Sequence, residues 1–501
     1  MLADLRDLFH YRGRINWPLL ILFILVNLLV LFNAVAHDPY IGYDTSAYLD
    51  YITTLGEGRL PSSEDTGEFF SPPLAFVPSA GLYAALQPHA DSPALSPPES
   101  NLRIVNSLYY RLLYSIDDFP VALSAKLLQL LNVVYSLGVT LLLLKIAELL
   151  HPGHPWFKTL SLFLLGMQPV YYKTFAFVRA EPLMILLGML GLYRLLAAYR
   201  RAYFEAADAA WLGLIAGLGM LTRQWFLAAF LTLFAGLLLL ARKRGAPLLS
   251  VAAVFLLVAA LVGGPFYLHL TNSEGSPLAF NRDPGAQTPW SEYFAMEAEG
   301  MFSDPLRATF GLQFLPIFYS DIWGDYWGYF TFYARDRESG RYMEGLFAAS
   351  DIVSPAEAAD PEHPMQTNRY TINAYLGRVN TVSLLPSLVL LAGFAFGLAQ
   401  LWRAWRQRLA DDETNIFALF GFNAASAVLI YMTFLVLYTH EDATTVKASY
   451  LLHAAPVLAL LTAEVLRRLE ARNRRAFQLL MVGMGLVLLH NLPAMITRHI
   501  L

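Results

Sequence analysis

Long apolar runs recur along this chain and restrict its fold more than any other feature. Each of about eleven runs is near the twenty residues that an α-helix needs to cross the hydrocarbon core of a bilayer. Charged residues make up only 15% of the 501 residues, against roughly a quarter in soluble domains. The pattern predicts an all-α membrane protein with about eleven transmembrane helices. The runs lie at about 17–36, 120–149, 157–175, 182–199, 209–222, 225–241, 248–270, 382–402, 416–438, 448–466 and 477–496.

Two long polar and aromatic segments interrupt the apolar runs. The first covers residues 37–118 and the second covers residues 272–380. Both are too long for simple turns, and the apolar patch from Ala75 to Leu86 is too short for a span. We therefore expect both loops to carry helices that lie in the membrane interface. This organisation predicts an N-terminal transmembrane module with the first loop in 1–271, the second loop in 272–380, and C-terminal transmembrane helices in 381–501.

Basic residues cluster in alternate connections between the apolar runs. The positive-inside rule places these connections in the cytoplasm and both long loops on the outer side of the membrane. The short outer connections carry only scattered cations, which the rule does not explain. The cytoplasmic clusters are Arg6, Arg12 and Arg14; Arg194, Arg200 and Arg201; Arg242, Lys243 and Arg244; Arg403, Arg406 and Arg408; and Arg467, Arg468, Arg472, Arg474 and Arg475.

Composition excludes several classes of function. The chain has no cysteine, so disulfides, thiolate catalysis and thiolate metal sites are ruled out. Its net charge of −4 argues against a nucleic-acid partner. The lack of cysteine and of Asn-x-Ser/Thr sequons favours a prokaryotic source. We therefore expect a multi-pass protein of a bacterial inner membrane, with a site that faces the periplasm or the exterior.

An acidic stretch follows the first apolar run, in the sequence His-Asp-Pro-Tyr-Ile-Gly-Tyr-Asp-Thr-Ser-Ala-Tyr from His37 to Tyr48. A carboxylate here lies where the bilayer meets water, so it can reach both a lipid and a soluble substrate. If residues 45–55 are helical, Asp44 occupies the N-cap. Two interpretations stay open: Asp44 is a reactive carboxylate, or it is an ordinary cap of an interfacial helix.

Cations next to the ends of other apolar runs are the second candidate feature. Arg179 and Glu181 open one run, Arg223 interrupts an apolar stretch, and Lys447 precedes a late run. Polar groups at membrane depth are costly, so they tend to be paired or functional. Arg179 and Glu181 could simply pair with each other, and Arg223 could snorkel to the interface. Alternatively, the cations bind the phosphate of a lipid, and Asp44 acts as general base on an incoming hydroxyl.

Three further groups have weaker claims. In the second loop, aromatic rings and carboxylates alternate at Trp323, Asp325 and Trp327, a composition typical of sugar binding or of an aromatic belt at the interface. The run His440, Glu441 and Asp442 offers metal ligands, although such a run is more often a solvated loop. Asp117 and Asp118 precede the second span and fit a helix cap best.

Several motifs, taken in order, resemble those of the GT-C superfamily of polyprenyl-phosphate-dependent glycosyltransferases, and in particular the protein mannosyltransferase and aminoarabinose transferase group. The acidic motif after the first span is the first. The run Phe-Phe-Ser71-Pro72-Pro73-Leu74 resembles the family's His-Pro-Pro-Leu element, here without the histidine. The glycine-rich run from Gly213 to Thr222-Arg223 is similar to one that ends in Thr-Lys, and Lys447 to Pro456 resembles a late outer segment that leads into a span.

The resemblance implies roles for individual residues. Asp44 matches the catalytic carboxylate, which activates the acceptor hydroxyl in an inverting displacement. Arg223 and Lys447 match positions that hold the donor phosphate, and Arg179 joins them by its place in the sequence. A divalent metal ion is the one cofactor implied, with Glu68, His440, Glu441 and Asp442 as candidate ligands. The candidate contacts to sugar or acceptor are Tyr48, Glu68, Trp323, Asp325, Trp327, His440 and Tyr450.

The function predicted from the sequence is transfer of a sugar from a polyprenyl-phosphate donor to an acceptor hydroxyl on a glycan, lipid or protein at the outer face of the membrane. A secondary transporter or lipid flippase is an alternative, but it predicts charges deep in the spans and an internal repeat. A lipid-linked glycan ligase or polymerase is a second alternative, because such enzymes also combine many spans with large outer loops.

Overall fold

The computed structural model describes residues 8–11, 13–39, 42–89, 119–154, 156–201, 203–281, 289–294, 300–303, 305, 310, 313–324, 332–335, 342–345, 375–407, 411–439 and 445–497. Helices account for nearly all of this structure. They are α1 (Trp17–Ala36), α2 (Thr45–Gly56), α3 (Val77–Leu86), α4 (Phe119–Leu150), α5 (Phe157–Gly166), α6 (Pro169–Ala176), α7 (Glu181–Arg200), α8 (Ala206–Met220), α9 (Leu227–Lys243), α10 (Leu248–Glu274), α11 (Trp290–Tyr293), α12 (Phe314–Trp323), α13 (Leu384–Gln407), α14 (Asp412–Leu437), α15 (Ala455–Arg472) and α16 (Arg474–Asn491).

Two short hairpins are the β-structure in the described part of the chain. Strand β1 (His10–Tyr11) pairs with β2 (Arg14–Ile15), and β3 (Phe332–Arg335) pairs with β4 (Tyr342–Gly345), both antiparallel. The prediction of an all-α membrane protein is confirmed. The three-part division of the chain stays a prediction.

Nine helices within the described residues are long and apolar enough to cross a membrane. They are α1, α4, α7, α9, α10, α13, α14, α15 and α16, where α9 and α15 are counted with the 3-10 turns that lead into them, Gln224–Phe226 and Ala448–Ala454. The protein is therefore a multi-pass membrane protein.

The two remaining apolar runs form shorter helices that still return the chain to the opposite end of the bundle. Helix α7 is 20 residues long, or about 30 Å, and α8 ends at Met220, shortly before Arg223 contacts Glu181 at the start of α7. Helix α8 must therefore run back along α7. The run at 157–175 returns as two helices, α5 and α6, with Pro169 in the first turn of the second. Of the about eleven predicted transmembrane helices, nine in the described part of the chain are long and apolar enough to span a membrane, and the other two runs form shorter helices.

Proline sets the start of several helices. Pro18, Pro169, Pro182 and Pro456 each lie in the first turn of a helix, where the missing backbone N–H costs nothing and the fixed φ suits the helix. Pro182 and Pro456 begin helices at the end of the bundle that carries Arg179 and Lys447. Local sequence therefore fixes where these two segments stop being irregular and become helical.

The glycine-rich run of α8 allows close packing on α10. A Cβ at Gly213 would lie 2.6 Å from the carbonyl oxygen of Phe255, and one at Gly217 would lie 2.9 Å from that of Ala259. Because the atoms approached are backbone, the helices could not adjust by a rotamer change. The run therefore has a packing role that positions the segment immediately before Arg223.

The first loop carries α2 and α3, which pack together and against the start of α4. Their apolar contacts form a small core that includes Tyr48, Tyr51, Phe76 and Val178. The second loop contributes α12, which contacts α6 and the 3-10 turn Ala448–Ala454. Loop helices thus cover the same end of the bundle at which the candidate site residues meet.

Candidate active site

Four segments that join helices meet at one end of the bundle. Asp44 follows α1, Arg179 lies between α6 and α7, Arg223 precedes the 3-10 turn Gln224–Phe226, and Lys447 precedes the 3-10 turn Ala448–Ala454. Each residue flanks a span, so the cluster lies where an apolar bundle ends. Tertiary packing therefore brings together the four residues for which the sequence predicts catalysis and phosphate binding.

Asp44 forms an ion pair with Lys447, whose Nζ donates a hydrogen bond to Oδ2 of the carboxylate. The lysine side chain is 6% exposed, whereas the aspartate side chain is 27% exposed. The carboxylate therefore faces a cation on one side and remains accessible on another. A partly exposed carboxylate with a fixed buried partner is suited to accept a proton from a bound hydroxyl.

The backbone at Asp44 is left-handed, with φ 59° and ψ 16°. Among the described residues it is the one non-glycine position with positive φ. Asp44 occupies the N-cap position of α2, but its side chain accepts no capping hydrogen bond. The interpretation of this aspartate as an ordinary cap is therefore wrong, and its side chain pairs with Lys447 at a backbone cost of about 1 kcal/mol.

Electrostatics keep the Asp44 carboxylate ionised. Burial raises the pKa of this group, but the positive charges of Lys447, Arg179 and Arg223 outweigh burial and set the pKa below its ordinary value. The hydrogen bond from Lys447 acts in the same direction. At neutral pH the group is therefore available as a base.

Arg179 forms a bidentate pair with Glu181. Its Nε lies 3.0 Å from Oε2 of Glu181 and its Nη2 lies 2.9 Å from Oε1. The arginine is 1% exposed, and its Nη1 has no hydrogen-bond partner among the described residues. The predicted pair of Arg179 and Glu181 thus exists. It leaves the hydrogen-bonding capacity of one buried guanidinium nitrogen unused, which costs free energy when no water reaches that nitrogen.

Arg223 connects two carboxylates and two hydroxyl groups. Its Nη1 lies 3.0 Å from Oε2 of Glu68, its Nε 3.3 Å from Oε1 of Glu181, and its Nη2 2.5 Å from the hydroxyl of Tyr48. It also donates to the hydroxyl of Ser71. The guanidinium is 3% exposed, so the alternative that Arg223 snorkels to the interface is wrong.

Two tyrosine rings flank the arginines. The ring of Tyr48 lies 6.0 Å from the guanidinium carbon of Arg179 and 5.6 Å from that of Arg223, and the ring of Tyr450 lies 5.9 Å from both. Tyr450 also stacks on Trp225 at 4.8 Å. Both tyrosines are buried. In this arrangement they orient the cations, and their predicted contact with sugar or acceptor stays a prediction.

Glu68 serves as a partner for Arg223. Its Oε2 accepts from Arg223 and, at 2.5 Å, from the hydroxyl of Ser71. A metal ion bound there would lie beside a guanidinium, which is unfavourable. Searched over the described residues only, the chain has no group of three His, Asp or Glu that could hold a metal ion. His440, Glu441 and Asp442 lie outside the described residues, so the metal requirement stays a prediction.

One residue of the aromatic run in the second loop, Trp323, has a different role from the one predicted. Trp323 ends α12 and is 1% exposed in the main apolar core, so the predicted contact of its ring with a sugar is replaced by packing. Asp325 and Trp327 lie outside the described residues. Asp321, two residues before Trp323, forms a buried ion pair with Lys173 on α6.

Sequence reasoning missed Ser71, Asp321 and Tyr43 as members of the cluster. Ser71 belongs to the Pro-Pro-Leu element, and Tyr43 directly precedes Asp44, so both lie inside motifs already singled out. The one feature of the sequence that could have pointed to Asp321 is that a carboxylate lies within an apolar helix. With these residues, the cluster contains four cations, Arg179, Arg223, Lys447 and Lys173, and four carboxylates, Asp44, Glu68, Glu181 and Asp321.

No protein-family model matches the chain, and no curated protein matches it. Solved structures similar to it include the following two. One is ArnT from Cupriavidus metallidurans bound to undecaprenyl phosphate, which is 14% identical with a TM-score of 0.45; the match covers 93% of this chain and 63% of that one. The other is ArnT from the same organism in the apo state, 13% identical with a TM-score of 0.43, covering 93% and 62%. The chain thus spans less than two thirds of the length of either ArnT chain.

Proposed function

We propose that this protein is a GT-C-type glycosyltransferase, which moves a sugar from a polyprenyl-phosphate donor to an acceptor hydroxyl at the outer face of the membrane. The observation that carries the proposal is the contact of Asp44 with Lys447, backed by the buried guanidinium groups of Arg179 and Arg223. Together these groups would supply a base and a set of phosphate-binding donors at one end of a membrane bundle.

The depth of the cluster supports a lipid substrate. Glu181, Arg223 and Lys447 lie at the start of spans, where apolar helix surface gives way to polar loops. A lipid phosphate occupies this level of a bilayer while its hydrocarbon chain stays among the apolar helices. The acceptor reaches the same level from the aqueous side, where the Asp44 side chain is exposed.

The donor groups suit a phosphate ester. Nη1 of Arg179 is buried and has no hydrogen-bond partner in the part of the chain that the structure describes, so an anionic oxygen would satisfy it. A guanidinium binds phosphate oxygens more specifically than an ammonium because its N–H groups are planar and fixed. Lys447 would add a point charge. These groups would stabilise negative charge that develops on the leaving phosphate.

The proposed reaction is a single displacement. Asp44 takes the proton of the acceptor hydroxyl while the acceptor oxygen forms a bond to the anomeric carbon of the sugar. The bond between that carbon and the phosphate oxygen breaks, and the electron pair leaves with the phosphate, which the cations stabilise. Attack opposite the leaving group inverts the anomeric carbon. The products are the glycosylated acceptor and the polyprenyl phosphate.

The test starts from lipid extracts of a strain that lacks the protein, in which the unused donor accumulates. Purified protein in proteoliposomes is incubated with that extract and with membranes that contain acceptors, and loss of lipid-linked sugar is followed by mass spectrometry. Asp44→Asn should abolish the loss, whereas Asp50→Asn, an exposed carboxylate on the same helix α2, should leave it intact. Movement of donor lipid across the bilayer without any chemical product would favour a flippase instead.

A further inference from the structure

Asp321 contacts the chain neighbours of both members of the Asp44–Lys447 pair. The hydroxyl of Tyr43, which precedes Asp44, donates to Oδ1 of Asp321 at 3.3 Å. The backbone N–H of Ala448, which follows Lys447, donates to Oδ2 of the same carboxylate. One side chain from the second loop thus connects two segments that are far apart in the chain.

The contacts of Asp321 are protected from water. The residue is 2% exposed and forms an ion pair with Lys173, whose side chain is 3% exposed. Nζ of Lys173 also lies 3.3 Å from the backbone carbonyl oxygen of Asp321. Because a buried charge pair is held only when its remaining hydrogen-bonding capacity is satisfied, the contacts to Tyr43 and Ala448 belong to the pair's own stability.

Tyr43 lies between two ammonium groups. Its ring is 5.2 Å from Nζ of Lys173 and 5.8 Å from Nζ of Lys447. The backbone at Lys447 is held separately, since its N–H donates to the hydroxyl of Tyr431 at 2.9 Å. The first N–H groups of a helix have no partner within it, so Asp321 and Tyr431 together fix the start of the 3-10 turn Ala448–Ala454.

We propose that Asp321 is a positioning residue that holds Lys447 against Asp44, by bonding the residue after the lysine and the residue before the aspartate. The catalytic meaning of the pair rests on the proposed function, whereas its geometry does not. The charged groups that face Asp44 are Lys447, Arg179 and Arg223, with the hydroxyl of Tyr450 close to Lys447.

Loss of this positioning has a consequence for the pKa of Asp44. When Lys447 moves away, the carboxylate loses its nearest cation and keeps Arg179 and Arg223, which hold their own carboxylates. The pKa of Asp44 then rises, because burial is opposed by fewer positive charges. A role of Asp321 in stability alone would not move this pKa.

Two double variants separate positioning from ion pairing. Lys173→Met with Asp321→Asn removes both charges but keeps both contacts, because the amide oxygen can accept from the N–H of Ala448 and the amide NH2 can donate to the hydroxyl of Tyr43. Lys173→Met with Asp321→Leu removes both charges and also that oxygen, at similar side-chain volume. The two proteins therefore differ in the proposed contacts, while neither is left with an unpaired buried ion.

The readout is the pH dependence of carbodiimide labelling at Asp44, measured by mass spectrometry of the peptide that contains it. The reagent attacks the protonated carboxyl, and the side chain is 27% exposed. We expect the Leu double variant to move the labelling midpoint upward by about 1 pH unit, and the Asn double variant to match wild type. Tyr43→Phe, which keeps the ring and removes the hydroxyl, should move it in the same direction by less.

Equal midpoints in wild type, both double variants and Tyr43→Phe would overturn the proposal. Glu464→Gln is the stability control, because this buried carboxylate binds Arg467, Arg468 and His151 at the opposite end of the bundle. If this control shifted the labelling midpoint of Asp44 as much as the Leu double variant does, the proposal would also be overturned. Labelling needs no substrate. If the wild-type protein transfers no sugar but the Leu double variant still shifts the labelling midpoint, only the proposed function is refuted. If the wild-type protein transfers sugar but the Leu double variant does not shift the midpoint, only the positioning role is refuted.

Discussion

Asp44 and Lys447 are 403 positions apart in the chain, and their side chains form an ion pair at one end of the helix bundle. The aspartate comes from the first loop and the lysine from the segment before α15. The two segments meet only through long-range packing of the bundle. A change at either residue should therefore be visible in the chemistry of the other.

Lys447→Met should move the pH dependence of activity. The pKa of Asp44 is held below its ordinary value, so the base is ionised down to low pH, and activity falls only as pH drops through that pKa. Without Lys447 the pKa rises, and the acidic limb of kcat/KM should move up by about 1 pH unit. The measurement is a pH–rate profile from pH 3 to 8. An unchanged acidic limb would show that Asp44 is not the base in the reaction.

The same pKa shift predicts how stability depends on pH. A carboxylate whose pKa is lower in the folded protein contributes stability above its unfolded pKa, and this contribution is lost as pH falls through the folded value. Thermal unfolding in detergent should therefore show wild type losing Tm on acidification by more than Asp44→Asn does. Parallel pH profiles for the two proteins would contradict the shift.

Arg223→Lys should not rescue function. Arg223 reaches Glu68, Glu181, Tyr48 and Ser71 through its three guanidinium nitrogens, and a single ammonium cannot make this set of contacts. We expect kcat/KM to fall by about 10- to 100-fold, with a higher donor KM and a lower kcat, and Arg223→Ala to be at least as impaired. Steady-state kinetics with varied donor are the measurement. Wild-type kinetics for the lysine variant would show that activity does not depend on the several N–H groups of the guanidinium.

Glu181→Gln should destabilise the protein strongly. The carboxylate is fully buried and binds both Arg179 and Arg223. Removal of its charge leaves two buried cations undercompensated, which costs about 3–5 kcal/mol. The measurement is thermal unfolding in detergent, with the exposed Asp50→Asn as a control that should stay within about 0.5 kcal/mol of wild type. A Tm equal to that of the control would mean that water or another group compensates the arginines.

Gly213→Ala should lower the free energy of unfolding, whereas Gly264→Ala should leave it unchanged or raise it. A Cβ at Gly213 meets the backbone of α10 at 2.6 Å, whereas one at Gly264 on α10 meets nothing within 4 Å. The first change should cost about 1–3 kcal/mol through overpacking. The second should be neutral or stabilise by about 0.5–1 kcal/mol, because alanine has less backbone freedom when unfolded. Unfolding temperatures of the two variants give the comparison, and equal values would argue against tight packing of α8 on α10.

Much of the candidate site was predictable because ionisable residues next to apolar runs are rare. Arg179, Arg223 and Lys447 stood out since membrane depth penalises unpaired charge. Their partners were less visible. The contact of Glu68 with Arg223 was not expected from the sequence, and Trp323 was expected at a sugar and instead packs in the core. Composition alone cannot separate a ring that binds a ligand from one that fills a core, because the same surface serves both.

The sequence by itself determined that the chain is a bundle of membrane helices, and it determined where several of them begin. Runs of about twenty apolar residues form helices because every backbone group must be hydrogen-bonded in lipid, and Pro182 and Pro456 mark two starts at the site. The tertiary structure decided which charges meet. Contacts such as Asp44 with Lys447 or Asp321 with Ala448 join the ends of different helices, and those ends approach only through long-range packing, which no local pattern of residues encodes.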